Sequence, residues 1–308
     1  MNKVFIDGSQ GTTGLRIFDR LSARSDIELI RLPEELRKDP AARKKAINSS
    51  DITFLCLPDA ASIEAVAMAE KHVKILDTST AHRTNAQWIY GFPEVFENGF
   101  ESVKNANRVA VPGCHASGFI ALVKPLIDAG ILSADALLTC HSITGYSGGG
   151  KKMIAEYEGE ERDILLDAPR QYGLGQTHKH LPEMKAVTGI NNEPVFCPIV
   201  SDFYSGMCVT VPIFKSQLKK GTAADIKAVY KNKYTGPIVN YIDDFAEGGF
   251  VSANGIKGKD SMQITVSGNE DRILLIARYD NLGKGASGAA LECMNIMLGC
   301  DPTEGLDL

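Results

Sequence analysis

Residues 7–15 read DGSQGTTGL, and their reading decides how the chain begins to fold. The stretch follows KVFID (3–7), an apolar run of strand length, and leads into a helix. Gly8, Gly11 and Gly14 recur at every third position. Glycines at such a turn let the backbone approach a pyrophosphate, whose charge then rests on the first N–H groups of the helix. The pattern is GxxGxxG rather than GxGxxG, so a plain strand-to-helix turn also fits it. Its place after the first strand favours dinucleotide binding by Gly8, Ser9, Gly11, Thr12, Thr13 and Gly14. Glu34 and Glu35 lie about 20 residues beyond Gly14, where an acid would hold the ribose hydroxyls of NAD. Arg31, Arg37 and Lys38 share that segment and could instead hold a 2′-phosphate, so both cofactors stay open here.

Outward from the loop, IELIRL (27–32), DITFLCLP (51–58) and VKILDTS (73–79) are continuous apolar runs. Such runs suit strands buried on both faces, and the segments between them are long enough for crossover helices. This predicts an α/β unit with a doubly wound parallel sheet. Later strands are longer: LLTCHSITGYS (137–147), EPVFCPIVSDF (193–203) and GMCVTVPIF (206–214). A polar linker, KGTAAD (220–225), leads to a helix, and SMQITVSGNEDRILLIARYDN (261–281) reads as a hairpin turning at Gly268-Asn269. This second region reads as α+β, with an antiparallel sheet that could carry a substrate site and a subunit interface. GASGAALECMNIML (285–298) reads as one helix with an apolar face.

At 308 residues the chain exceeds the usual size of one core, so two domains are expected. An apolar fraction of 44% and a charged fraction of 23% are those of an ordinary globular protein. A net charge of -5 without basic runs argues against nucleic acid and membrane surfaces as partners. Nor does any apolar run approach the roughly 18 residues of a membrane span. Seven cysteines, odd in number and without a CxxC pair, argue against a disulfide framework and a structural zinc. With MNKVFIDGSQ entering a strand directly, a reducing, cytoplasmic location is expected.

Three stretches carry candidate chemistry. In VPGCHASGF (111–119), Cys114 precedes a helix whose face is Phe119, Leu122, Val123, Leu126 and Ile127. A helix N-terminus favours an anion, so a thiol there ionises more readily; the competing reading is a small buried residue at a tight turn. HKHLPEM (178–184) offers His178 and His180 as proton carriers. On a strand they share a face, on a helix only one reaches a given site, and Pro182 favours an extended or turn backbone just before it. In TGYSGGGKK (144–152), Gly148, Gly149 and Gly150 form an anion-binding concavity beside Ser147 and Lys151 or Lys152, or else a flexible loop with solvated charges. Arg83 and Arg162 are candidates for a substrate carboxylate.

Taken in order, DGSQGTTGL, FLCLPDAAS (54–62), DTSTAHR (77–83), GFPEV (91–95), VPGCHASG, TGYSGGGKK, HKHLPEM and NLGKGASGAA (281–290) span nearly the whole chain. Together they resemble the short form of the N-acetyl-gamma-glutamyl-phosphate reductase family. The longer form carries asparagine before Pro-Gly-Cys and tyrosine after it; here Val111 and His115 stand there, which leaves the role of His115 open. The family is similar in design to aspartate-semialdehyde dehydrogenase.

The resemblance implies a Rossmann-like dinucleotide-binding domain over 1–113 and 283–308, discontinuous because the last helix returns to it. An α+β catalytic and dimerisation domain of the semialdehyde dehydrogenase type would then cover 114–282. It implies NADPH-dependent reduction of N-acetyl-L-glutamyl 5-phosphate to the 5-semialdehyde in arginine biosynthesis, through a thioester on Cys114. His180, ahead of His178, would be the acid/base, with Asn281 and Gly285 near the nicotinamide. Arg83, Ser147, Gly148, Gly149 and Lys151 would meet the substrate. A homo-oligomer, dimer or tetramer, is expected, and no metal. The competing readings are an aspartate-semialdehyde dehydrogenase-like enzyme, a non-catalytic nicotinamide sensor with no histidine beside Cys114, and a cysteine hydrolase, which has no use for the glycine loop.

Overall fold

In the computed structural model, which describes residues 1–308, the first apolar run becomes β1 (Asn2–Asp7), whose last four residues are buried. There follow α1 (Thr12–Ser22), β2 (Ile27–Ile30), α2 (Pro40–Asn48), β3 (Ile52–Leu55), α3 (Asp59–Met68), β4 (Lys74–Asp77), β5 (Ile89–Tyr90), α4 (Gly99–Lys104) and β6 (Arg108–Ala110). All six strands pair in parallel in the order β2-β1-β3-β4-β6-β5. All four residues of β3 are buried, which is why the sequence shows a continuous apolar run there. Asp39 caps α2 by accepting the Ala42 N–H, with Pro40 in the first turn.

The second region holds α5 (Cys114–Asp128), β7 (Thr139–Gly145), α6 (Gly150–Glu158), β8 (Arg170–Gln171), α7 (Leu181–Thr188), β9 (Val195–Ser201), β10 (Met207–Phe214), α8 (Ala223–Lys233), β11 (Val239–Tyr241), β12 (Met262–Gly268) and β13 (Arg272–Tyr279). Its strands run in the order β11-β12-β13-β10-β7-β9-β8. The sheet is mixed rather than antiparallel, because β7 pairs β9 in parallel through α6 and α7 and β11 pairs β12 in parallel. β12 and β13 form the expected hairpin, closed by the Asn269 N–H donating to the Arg272 carbonyl. Helices α5 and α8 cover one face. Thr222 and Asp225 form a capping box at the start of α8.

The chain divides into two compact units, Met1–Pro112 with Ala286–Leu306, and Gly113–Gly285 with Asp307–Leu308. The segment read as one helix opens as a π-turn, Gly283–Ser287, followed by α9 (Gly288–Leu298). Every residue of α9 from Gly288 to Met297 is buried, Glu292 and Asn295 included, so it is a core element and not a helix with one apolar face. Ala290, Met294 and Met297 join Val4, Phe54 and Val109 in the core of the first unit. The last two residues belong to the second unit, not to the dinucleotide domain. The Asp260 N–H donates to the Asp307 carbonyl, the Asp307 N–H donates to the Asp260 carboxylate, and Lys259 pairs with Asp307. No helix is long and apolar enough to cross a membrane.

Candidate active site

Cys114 is the first residue of α5, with Gly113 as N-cap at an extended φ of −76°. A tyrosine and a glutamate hold this turn. The Tyr279 hydroxyl donates to the Cys114 carbonyl at 2.6 Å and accepts the Gly118 N–H at 3.0 Å, bridging the first turn of α5. Burial holds its phenol far above the ordinary range, so it stays a donor at any working pH. The Glu183 carboxylate accepts the Gly113 N–H at 2.8 Å. On the other side Gly285 lies so close that a Cβ there would stand 3.1 Å from the Cys114 Cβ. Asp280 shapes that approach, accepting from the Leu282 and Gly283 N–H groups and from Ser205.

His178 sits in the turn before α7 and His180 is its N-cap, so neither the strand nor the helix geometry applies. Their rings lie 4.7 Å apart, and both stand against His115, at 5.7 and 5.6 Å. His115 bonds Ser142 through Nδ1 and the Tyr172 hydroxyl through Nε2, each at 2.7 Å. Burial, with His178 alongside, lowers its pKa to about 3, so the ring is neutral in the working range. The His180 N–H donates to His178 Nδ1 at 3.2 Å, which leaves the proton of a neutral His178 on Nε2. Burial also pulls the His178 pKa down. Tyr172 has its phenol pushed up by burial, and secondarily by its closeness to Cys114.

Asn281 is tied to the glycine-rich turn, donating to Ser147 Oγ at 3.0 Å and accepting the Gly206 N–H at 2.9 Å. Ser147 is buried, whereas Gly148, Gly149 and Lys151 line the exposed start of α6. Two arginines read as carboxylate ligands have structural work. Arg83 donates from Nε to the Val111 carbonyl at 2.9 Å and from Nη2 to the Thr78 carbonyl at 2.8 Å. Arg162 pairs with Asp167 and Asp202. Arg83 is itself placed by a buried turn in which Asp77 accepts from Ser62, Ser79 and His82, the last stacked on Trp88 at 4.1 Å.

Tyr172, Ser142, Glu183 and Tyr279 carried no sequence signal for the site. Ser142 reaches it from β7, Tyr172 from the loop after β8, Glu183 from α7 and Tyr279 from β13, and only Glu183 lies inside a stretch read for its chemistry.

In the first unit the glycine loop forms a tight cradle. Gly8 has φ +89°, and a Cβ there would fall 2.3 Å from the Cys56 carbonyl oxygen; one at Gly14 would fall 2.4 Å from the Gly8 oxygen. Gly11 caps α1 without a side-chain bond, so the first-turn N–H groups of Thr12 and Thr13 face no capping oxygen. A cavity of about 840 Å³ adjoins the loop, lined by Gly8, Ser9, Arg31, Glu34, Arg37 and Lys38 among others. Arg37 neutralises Glu34 at 2.5 Å, Arg31 lies 4.7 Å over the Phe18 ring, and Lys38 is exposed. This cradle fits a dinucleotide, and its balance of charge fits a 2′-phosphate. The one grouping with the ligand types for a metal, Asp26, Cys300 and Glu304, is filled by Arg24, at 2.6 Å from Asp26 and 3.6 Å from Glu304.

Two family descriptions match the chain: the semialdehyde dehydrogenase NAD binding domain over residues 3–103 and the semialdehyde dehydrogenase dimerisation domain over 114–281. Proteins named N-acetyl-gamma-glutamyl-phosphate reductase from Brucella ovis and Brucella suis are 44% identical over 306 residues, covering 96% of this chain and 99% of theirs. The chain belongs to the N-acetyl-gamma-glutamyl-phosphate reductase branch of the semialdehyde dehydrogenase family. The family fold extends to solved structures of low identity. Aspartate semialdehyde dehydrogenase II from Vibrio cholerae superposes with a TM-score of 0.70 at 16% identity, covering 97% of this chain and 98% of that one. The aspartate semialdehyde dehydrogenase from Francisella tularensis gives 0.72 at 14%, covering 97% and 100%.

Proposed function

We propose that the chain reduces N-acetyl-L-glutamyl 5-phosphate to N-acetyl-L-glutamate 5-semialdehyde, with release of phosphate, as a step of arginine biosynthesis. The observation that carries this reading is Cys114 at the start of α5 with the His178–His180 pair in the same unit, in a chain whose relatives bear that enzyme's name. NADPH, when bound, supplies the hydride. Gly8, Ser9, Gly11, Gly14 and the first-turn N–H groups of Thr12 and Thr13 would hold its pyrophosphate.

The chain's own residues carry the covalent steps. The Cys114 thiolate attacks the acyl carbon, a C–S bond forms, and the C–O bond to phosphate breaks, leaving a thioester. After reduction, the hemithioacetal oxyanion re-forms a carbonyl, the C–S bond breaks and the thiolate returns. His180 or His178 donates or accepts the proton that these changes at oxygen require. His115 is neutral throughout and serves to orient Tyr172. Ser147, Gly148, Gly149 and Lys151 form the phosphate side of the site, and the exposed Lys151 brings the compensating charge. The seven free cysteines are consistent with a reducing cytoplasm.

The second unit also leaves a face of its sheet open. Ile143, Val195, Phe214 and Leu274, from β7, β9, β10 and β13, are exposed there and share the face away from α5. This face, in a region matching a dimerisation domain, is the homo-oligomer surface; Leu274→Glu should lower the mass seen in sedimentation.

The test of the reaction is nicotinamide absorbance with the semialdehyde, phosphate and NADP⁺, aspartate semialdehyde serving as comparison. Cys114→Ser should lower turnover by several orders of magnitude and leave NADPH binding intact. His180→Asn or His178→Asn should cost roughly 10²- to 10⁴-fold. Near-normal turnover in Cys114→Ser, or preference for the aspartyl substrate, overturns the reading.

A further inference from the structure

α7 begins with an acid whose usual work another residue has taken over. Glu183 is the third residue of α7, the position from which a glutamate normally reaches back to the N-cap N–H and closes a capping box. Here the N-cap is His180, and its N–H donates instead to His178 Nδ1. Glu183, buried to 1% exposure, crosses to the neighbouring helix and accepts the Gly113 N–H at 2.8 Å. Gly113 is the N-cap of α5, and Cys114 is the next residue. One carboxylate therefore joins the segment that presents the two histidines to the turn that presents the thiol.

We propose that Glu183 is a positioning residue: its bond to Gly113 fixes the register between Cys114 and the His178–His180 pair. The inference rests on Cys114 being the nucleophile. The geometry makes reach, rather than charge, the essential property. The donor is a neutral backbone N–H, so any acceptor oxygen at the same distance can serve, while a side chain one methylene shorter cannot span the gap. α5 and α7 pack against one another, so the bond trims an existing contact and does not create it.

Three substitutions in the full chain separate the possibilities. Glu183→Gln keeps the length and an acceptor oxygen and loses the charge; Glu183→Asp keeps the charge and loses the length; Glu183→Ala loses both. Turnover is measured per NADPH-binding site, so that misfolded protein is not counted, together with KM for NADP⁺ and the rate of Cys114 alkylation by iodoacetamide. An error of order 1 Å in placing a reacting group costs up to about 10²-fold. Glu183→Asp and Glu183→Ala should therefore lose tenfold or more in kcat, with KM for NADP⁺ within twofold and alkylation of Cys114 changed, while Glu183→Gln stays within about threefold of the parent. Should Glu183→Ala fail to fold, the Gln and Asp pair decides alone. An active Asp variant beside an inactive Gln variant, or normal kcat in both Asp and Ala, overturns the proposal. Normal kcat in all three variants while Cys114→Ser is dead defeats this inference alone, whereas turnover in Cys114→Ser defeats the proposed reaction.

Discussion

Removing one oxygen atom, in Tyr279→Phe, tests how the helix that begins at Cys114 is anchored. Tyr279 is fully buried at the end of β13, and its hydroxyl makes two bonds to the first turn of α5, to the Cys114 carbonyl and from the Gly118 N–H. The phenylalanine ring fits the same space, so no large cavity opens and the loss is almost wholly polar. Leaving a buried donor or acceptor unpaired costs about 1–3 kcal/mol, which for two groups would be about 2–6. Cys114 and Gly118 are four apart in a helix that starts at Cys114, however, so the ordinary helical bond already joins them and neither group is left wholly unpaired. That remaining bond reduces the expected loss to about 1–2 kcal/mol, or about 2–8 °C in melting temperature for a unit of this size. Without the hydroxyl the turn that carries Cys114 is held less firmly, so kcat should fall about tenfold or more while the affinity for NADPH, whose proposed site is the glycine loop of the other unit, is unchanged. Thermal denaturation, calorimetric titration with NADPH and steady-state kinetics on the one variant suffice. A melting temperature within 1 °C of the parent together with kcat within twofold would refute the reasoning.

Two other outcomes follow from charge. The His115 pKa of about 3 lies below the value of about 6.5 in an unfolded chain, so between these limits the unfolded state binds more protons. Stability from this residue is complete above pH 6.5 and is lost as pH falls toward 3, by about 2 kcal/mol between pH 8 and pH 5, and His178 adds in the same direction. Denaturant unfolding should show a shallower acid slope in His115→Gln, and an unchanged slope counts against a buried neutral ring. Lys38→Ala and Arg31→Ala should each weaken NADPH by about tenfold or more and leave NADH nearly unaffected, since a charged hydrogen bond is worth about 1.5–3 kcal/mol. Equal loss for both nucleotides in calorimetry would place these residues away from the 2′-phosphate.

The sequence by itself determined what depends on neighbours along the chain. Continuous apolar runs marked the buried parallel strands β1, β3 and β4, since a strand covered on both sides must be apolar on both, whereas β2, read in the same way, lies at the sheet edge with only Ile27 buried. DGSQGTTGL marked the tight glycine turn between β1 and α1, because the backbone conformation at Gly8 and the approach of Gly14 to Gly8 admit no side chain. VPGCHASGF placed Cys114 at a helix start for the same local reason. The sheet of the second unit was legible as strands but not as a mixed sheet, because pairing direction is set by crossovers such as the one through α6 and α7, which leave no mark on strand periodicity. α9 read as amphipathic and proved buried all round, since Glu292 and Asn295 are polar residues inside the core. Arg83 looked like a ligand for an anion, yet two carbonyls hold it. Above all, the shell around Cys114 is assembled from residues 115, 142, 172, 178, 180, 183 and 279, which only tertiary packing brings together. Hydrogen bonds between elements far apart in sequence obey no spacing, and for that reason the place of Cys114 at a helix start could be read from nine residues while its supports could not.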